Sequence, residues 1–477
     1  MNRLLRRLLA GSVALAMAGC STPPPVPLDA KTDLPPSFTT ATVTGAPTWP
    51  TPDWWMDFRT NELQALEEAA ARGNLDIAAA AARVDQAEAN ARAAFSPLLP
   101  NVQGTAGATR SRPNGLPAPD GAGSGAAFSK FTLGFQASYQ LDFWGLLRDR
   151  LKQARESARA AHYAQSVVGL TVSANVAVEY FTALALRERI AVTRRNIAAA
   201  REILAITRAK VDAGVLSNLP LSQEEATVAA QEASLPQLQQ AEREARFALA
   251  LLLGRPPEGF DIAAQNLNGI ASPLVAPGLP SELLARRPDI AQAEAILSAS
   301  HANVDAARAS FFPNIGLTGS GAYSSGSLTT LLDPASLGWS IGASLLQTVF
   351  DGGKLFAGLD LSKAMQMEML VEYRKTVFGA FADVEAALGS VVAAQDQLNA
   401  AIRQQRAAAE AFRISDVQYR AGTVEIISVL QSQQLLFQAD NLLIQSKLWR
   451  LQADIALYQA LGGGWRQQDQ DRMLAAR

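Results

Sequence analysis

The spacing of apolar positions divides the chain into helical and extended stretches. Val168, Val172, Val176, Tyr180 and Leu184 recur at helical spacing, as do Met365, Met369, Tyr373, Val377, Phe381, Val384 and Leu388. The surrounding segments, 146–213 and 354–421, contain no proline, so nothing interrupts a helix in either. Each predicts a single helix of about 68 residues, roughly 100 Å long at 1.5 Å per residue, with an apolar seam for other helices. Between the helices the period drops to two. Phe131, Leu133, Phe135, Ala137, Tyr139, Leu141 and Phe143 alternate with Thr132, Gly134, Gln136, Ser138, Gln140 and Asp142. Leu337, Trp339, Ile341, Ala343 and Leu345 alternate with Gly338, Ser340, Gly342 and Ser344. These patterns predict strands at about 129–143 and 337–350, with weaker partners at about 102–111 and 314–323. Each strand carries one apolar and one polar face.

The pattern is written twice. Gly134, Gly145, Gly214 and Gly254 have partners 208 positions later at Gly342, Gly353, Gly422 and Gly462. Further upstream the offset is 213: Asp76-Ile77 matches Asp289-Ile290, and Pro100-Asn101-Val102 matches Pro313-Asn314-Ile315. The change of offset puts five extra residues in a loop of the first copy, where insertions are tolerated. Each copy reads helix, hairpin, very long helix, return helix. The first helix is expected over Asn61–Phe95 in copy one and Asp289–Phe312 in copy two. The return helices are expected over Ser222–Leu253 and Ser428–Leu461. Gly214 and Gly422 follow the long helices, where a left-handed residue closes a helix. The copies span 53–254 and 281–462, with a Pro- and Gly-rich connector at 255–280 and a tail at 463–477.

The N-terminus sets the compartment. Arg3, Arg6 and Arg7 precede a short apolar run that ends at Cys20, the single cysteine of the chain. The run is too short for a stable membrane helix and reads as a secretory signal over 1–19. Met17-Ala18-Gly19-Cys20 resembles a bacterial lipobox, in which the cysteine becomes a lipidated N-terminus, and Ser21 favours the outer membrane. Residues 20–52 are Pro- and Thr-rich and form an extended tether. No other apolar run suggests a membrane helix, so a membrane would have to be crossed by strands. Four strands cannot close a barrel, and the smallest bacterial barrels have about eight, so spanning requires two, three or four copies.

Composition excludes other classes. Net charge is −2, with 18 % charged residues, which provides no basic field for nucleic acid. The two histidines, His162 and His301, have no nearby Cys or His to complete a metal set. Gly121-Ala122-Gly123-Ser124-Gly125 mimics a dinucleotide fingerprint but sits in a hairpin loop rather than between strand and helix. No nucleophile elbow is visible, so no catalytic residue is assigned.

Several motifs together resemble the outer-membrane factor family (the TolC, OprM and NodT-like proteins), chiefly its lipoprotein branch. The most specific is Leu283-Leu284-Ala285-Arg286-Arg287-Pro288-Asp289-Ile290, followed by Ala293-Glu294. Others are Ala309-Ser310-Phe311-Phe312-Pro313-Asn314-Ile315, Phe350-Asp351-Gly352-Gly353-Lys354 and Tyr419-Arg420-Ala421-Gly422. The resemblance covers nearly the whole mature chain. It implies a mostly α protein with a transmembrane β-barrel: a homotrimer with a twelve-strand barrel and a twelve-helix tunnel. The partners it implies are a periplasmic adaptor and an inner-membrane pump of the RND type, with this subunit a passive export duct. No cofactor is implied beyond the diacylglycerol and N-acyl lipid on Cys20. The resemblance also implies a gate at the periplasmic helix tips, where Asp212, Gly214, Leu219, Tyr419, Arg420, Gly422, Glu425 and Ile427 stand. Leu219 and Ile427 are one repeat apart and would form an apolar ring. Relatives carry acids where Gln431 stands and near Pro220. Here Asp212 and Glu425 are the acids available instead. Two rival readings are an outlet for type I protein secretion and a non-pore coiled-coil scaffold lipoprotein.

Overall fold

A computed structural model describes residues 37–39, 49–112, 127–273 and 280–475. Cys20, the 1–19 leader, most of the tether, the Gly121–Gly125 loop and part of the connector lie outside the described residues. The elements, in chain order, are α1 (Asn61–Gly73), α2 (Leu75–Phe95), β1 (Asn101–Ser111), β2 (Phe128–Leu141), α3 (Leu146–Asp212) and α4 (Asn218–Leu252). The second series is α5 (Pro288–Ala309), β3 (Asn314–Ser325), β4 (Leu337–Leu346), α6 (Lys354–Arg420), α7 (Ile426–Ala460) and α8 (Gln467–Ala475). Helices α3 and α6 each have 67 residues, and α4 and α7 each have 35. The duplication therefore survives residue for residue in the hairpins.

Four expectations are corrected. The helix expected over Asn61–Phe95 is broken at Asn74, whose backbone is extended. Asn74 Oδ1 accepts from the N–H groups of Asp76 and Ile77 at 2.8 and 3.0 Å, capping α2. Its Nδ2 donates to the Leu252 carbonyl at 2.8 Å, an otherwise orphaned C-terminal acceptor of α4. The strand expected to reach residue 350 ends at Leu346. There the Gln347 amide donates to the Phe311 carbonyl, and Asp351 turns to cap α6 by accepting from Gly353 and Leu355. The tail contains a helix, α8, held by Tyr163 Oη donating to Asp471 at 2.6 Å and by Arg159 at 2.9 Å. The long helices also each contain an apolar window sufficient in length and composition to cross a membrane, contrary to the sequence reading. Val172, Val176, Tyr180 and Leu184 in α3 and Val377, Val384 and Leu388 in α6 are buried against other helices, which accounts for much of that apolarity.

The main core sits midway along the helices. A 3₁₀ turn, Trp54–Phe58, inserts between α3 and α7, with Trp54 stacked on Tyr458 at 5.2 Å and Phe58 tilted against Phe181 at 5.2 Å. Tyr458 Oη donates to Asp57 at 2.5 Å, and Tyr180 Oη to Glu62 at 3.0 Å, so the buried phenols are satisfied. The Arg-Arg-Pro-Asp motif forms the joint of the second copy. Arg287 donates to the Ala460 carbonyl at the end of α7 and pairs with Asp289 and Asp383, while Leu283 is fully buried.

Each return helix ends on a close contact. Gly254 (φ +67°) and Gly462 (φ +86°) are left-handed. A Cβ on Gly254 would stand 1.9 Å from the Gly73 carbonyl oxygen, and one on Gly462 would stand 1.9 Å from that of Arg286. Backbone meets backbone at equivalent places in both copies.

Candidate functional site

The four strands form one antiparallel sheet in sequence order, β1-β2-β3-β4. Its register explains the alternation. Phe135 pairs with Gly104 and Gly321, Leu133 with Ala106 and Tyr323, and Tyr139 with Leu317. Trp339 pairs with Gly321, Ile341 with Gly319, and Leu345 with Ile315. Directly paired residues share a face, so these apolar residues lie together with small residues between the large ones. Gln103, Thr105, Thr132, Gln136, Ser138, Thr318, Ser320 and Ser340 lie on the other face, where the Ser320 and Ser340 hydroxyls meet at 2.9 Å. The apolar face is bare: Phe135, Trp339 and Ile341 are 69, 77 and 82 % exposed. A soluble protein rarely leaves such a face open. The outer strands, β1 and β4, pair on one side only.

Where the sheet enters the helices, aromatic side chains gather. Trp144 stacks on Phe312 at 4.8 Å and donates to the Pro313 carbonyl at 2.8 Å, and Phe311 meets Phe356 edge-on at 5.1 Å. Phe143 and Phe350 remain exposed beside them. This is the composition of a membrane–water interface. Trp144 and Phe143 fall at this junction, at the helix end of β2. Tyr323 and Trp339 stand at the opposite, hairpin end of the sheet.

At the far end of the helices, both turns close in one way. Gly214 (φ +72°) and Gly422 (φ +76°) follow the long helices. Val215 N–H reaches the Lys210 carbonyl at 2.9 Å, and Thr423 N–H reaches that of Gln418 at 2.9 Å. This is the Schellman closure, repeated in the two copies.

The residues expected at the gate separate into two environments. Tyr419 is buried with Ile203, Ile426, Val429 and Leu430, and Lys210 Nζ stands 3.7 Å above its ring. Its position is one of helix packing. Arg420 points elsewhere: it accepts no packing role, donating to Asp416 at 3.0 Å and to Glu202 on α3 at 2.8 Å. That bridge ties the second tip to the first long helix and holds the guanidinium pKa above its ordinary value, through Glu202 and then Asp416. Leu219 and Ile427 are 66 and 39 % exposed and belong to none of the described apolar clusters. Asp212 and Glu425 are exposed at the turns.

An acid not singled out in the sequence lies deeper. Glu224, on α4, is fully buried, and neither carboxyl oxygen has a partner among the described residues. Thr207 on α3 and Gln433 on α7 are equally buried and also leave side-chain polar atoms unmatched. Val228 and Phe437, one turn farther from the tip than Glu224 and Gln433, pack together with Ala200, so the two polar residues continue the same faces. The duplication offered the signal. Thr207 and Glu224 lie 208 positions before Ser415 and Ser432, a buried pair whose hydroxyls meet at 2.5 Å. The first copy carries an acid where the second carries a hydroxyl.

Burial pushes the Glu224 carboxyl up to about 7 from 4.5. The folded tip then binds the proton more tightly than the unfolded chain. Its stability is greatest below about 4.5, falls as pH rises through 4.5 to 7, and levels above. Amides of α4 near the tip should therefore exchange faster at pH 8 than at pH 5 after correction for intrinsic rates. Glu224→Gln should remove that difference, and wild-type protection that is flat with pH would contradict the burial of the acid.

Both histidines are engaged in packing contacts. His162 Nε2 meets Glu88 at 3.0 Å, and His301 Nδ1 meets Gln366. Among the described residues no group of three or more His, Cys, Asp or Glu could hold a metal ion.

Comparisons place this geometry among known proteins. The outer membrane efflux protein profile matches residues 66–255 and 279–463, one match in each copy. The pyoverdine export outer membrane protein OpmQ of Pseudomonas aeruginosa is 37 % identical over 97 % of this chain and 98 % of its own length. The cation efflux system protein CusC of Escherichia coli is 29 % identical over 97 and 99 %. Among solved structures, the outer-membrane channel OprN superposes with a TM-score of 0.85 at 28 % identity, covering 92 % of this chain and 99 % of that one. The open state of the Neisseria gonorrhoeae MtrE outer membrane channel superposes with a TM-score of 0.81 at 27 % identity, covering 91 and 97 %.

Proposed function

The chain belongs to the outer membrane efflux protein family, and from that premise we propose that three copies assemble into a passive export duct through the outer membrane and periplasm. The observation that carries this reading is the sheet. Its apolar face suits lipid and its polar face a water-filled lumen, but β1 and β4 leave unpaired backbone that hydrocarbon does not tolerate. Pairing β1 of one copy with β4 of the next satisfies both edges and closes a ring. Three copies give a barrel of about twelve strands, within the size range of outer-membrane barrels. The long hairpins then gather below it as a tunnel about 100 Å deep. Phe356, Leu361 and Phe378, exposed on α6, are apolar surface that a neighbouring copy would cover.

In this reading Cys20 carries the lipid that anchors each chain. The tips, with Leu219, Ile427, Asp212, Glu425 and the Arg420 bridge, form the periplasmic constriction that meets the adaptor. The energy comes from an inner-membrane RND pump, and the chain itself performs no catalysis. The relatives' names range over pyoverdine, cations and toluene on one architecture. Cargo selection therefore belongs upstream of the duct. The test is the native mass of the lipidated protein in mild detergent, followed by bilayer conductance. Three chains per particle and discrete conductance steps are expected. A stable monomer would remove the closed barrel and leave a scaffold.

A further inference from the structure

Beside the central core lies a cavity of about 560 Å³, between α1, the middle of α3 and the Gly462–Gly464 turn. It is remote from the sheet and the tips in sequence and in fold. Trp54, Trp55 and Trp465 line it, with Leu170 and Ile77. Glu67 also lines it, only 4 % exposed, and its Oε1 has no hydrogen-bond partner among the described residues. The indole N–H groups of Trp55 and Trp465 are buried and unmatched as well. Unsatisfied buried polar groups are uncommon, and several around one cavity call for an explanation.

The charge of the lining points to the kind of occupant. Asp53, Glu67, Glu68 and Asp469 contribute four carboxyl groups, and Arg466 contributes one guanidinium. Arg72, outside the cavity, approaches Glu68 at 4.0 Å, while among the described residues no cation pairs with Glu67. Burial pushes the Glu67 carboxyl up to about 8, an effect that the Ser173 hydroxyl only partly offsets. That is the response of an acid lacking a counter-charge.

We propose that this cavity binds a lipophilic organic cation, with the indole faces holding its apolar body and Glu67 supplying the counter-charge. Aromatic faces attract cations, most strongly where water is excluded. The volume admits a body of drug-like size. Such a site is lined by α1, α3 and the Gly462–Gly464 turn rather than by the sheet or the tips, and its function is recognition rather than conduction.

The experiment uses the full-length lipidated protein in nanodiscs, with tetraphenylphosphonium and its near-isosteric anion tetraphenylborate as probes. Equilibrium dialysis against empty discs gives binding, and quenching of tryptophan fluorescence reports the site. Saturable binding of the cation at one site per chain is expected, with no saturable binding of the anion. Glu67→Gln should weaken the cation at least about tenfold, as loss of a desolvated charge pair does. Gly169→Leu should do the same by filling the space, since Gly169 lines the cavity and a Cβ there meets nothing within 4 Å. If Glu67→Gln does not yield native protein, the Gly169 variant carries the test. Equal binding of the anion, or an affinity unchanged in the variants that fold, overturns the proposal. Loss in Gly169→Leu alone removes the counter-charge role and overturns it equally.

Discussion

Replacing Gly462 with alanine is expected to leave almost no assembled channel in the membrane, and replacing Gly254 should do the same. Two costs combine at each site. A left-handed residue other than glycine costs about 1–2 kcal/mol. The added Cβ would also stand 1.9 Å from a carbonyl oxygen, that of Arg286 for Gly462 and of Gly73 for Gly254. The opposing atom is backbone, just before α5 in one case and at the break between α1 and α2 in the other, so it cannot rotate aside. Moving it breaks the Arg287 bond to the Ala460 carbonyl in one copy and the Asn74 bond to the Leu252 carbonyl in the other. The sum is several kcal/mol against a domain stability of about 5–15 kcal/mol. Gly214 and Gly422 are the controls. Their φ angles are similar, yet a Cβ on either meets nothing within 4 Å. Gly214→Ala should cost only the backbone conformation, about 1–2 kcal/mol. Yield of heat-modifiable oligomer and its melting temperature separate the two classes. Equal losses at all four glycines would mean that close approach is not what the inner pair provides.

Arg420→Glu is expected to open the resting tip. The wild-type guanidinium serves Asp416 and Glu202 together, and the substitution places a third carboxylate beside them. Attraction between α6 and α3 becomes repulsion at the end of a very long lever, opposed there by the apolar cluster around Tyr419. Channel openings in planar bilayers should rise several-fold, and cells should become sensitive to large antibiotics that the wild type excludes. Adding Glu202→Arg should partly restore closure, because the pair is then reversed rather than lost. The group is exposed, so 1 M salt, with a screening length of about 3 Å, should mimic the substitution in part. A silent Arg420→Glu would assign closure to the apolar cluster around Tyr419.

The features legible in the sequence are those with a period. The 67-residue helices were visible because their seam recurs over many turns without proline, and the strands because apolar residues alternate with Ser, Thr, Gln and Gly. The sheet order and register followed only from the fold, since they depend on β2 meeting β3 from the other copy. The break at Asn74 was signalled by Gly73-Asn74 but masked by the alanines on either side. The duplication sets Glu224 against Ser432, but that either acid is buried was not legible. Glu67 and Glu224 sit in amphipathic helices among exposed glutamates, and their burial is decided by residues far away in the chain. Tyr419 and Arg420 are adjacent in sequence, yet one packs inward and the other bridges outward. A motif records that both are present and not that they do different things.

The equal lengths of the paired helices have an evolutionary consequence. Between Gly134 and Gly254 the two copies keep one offset of 208, although most of their side chains have diverged. A five-residue difference was admitted only before Gly134, on the hairpin side of the sheet. A one-residue deletion within α3 would rotate every later side chain by about 100° and shorten one strut of the ring by about 1.5 Å. The same deletion in α6 would be needed to level it. Substitutions can therefore accumulate one at a time along these helices, whereas changes in length must arrive in matched sets. Drift in this lineage should appear as altered chemistry on helices of fixed length, as where one copy carries Glu224 and the other Ser432.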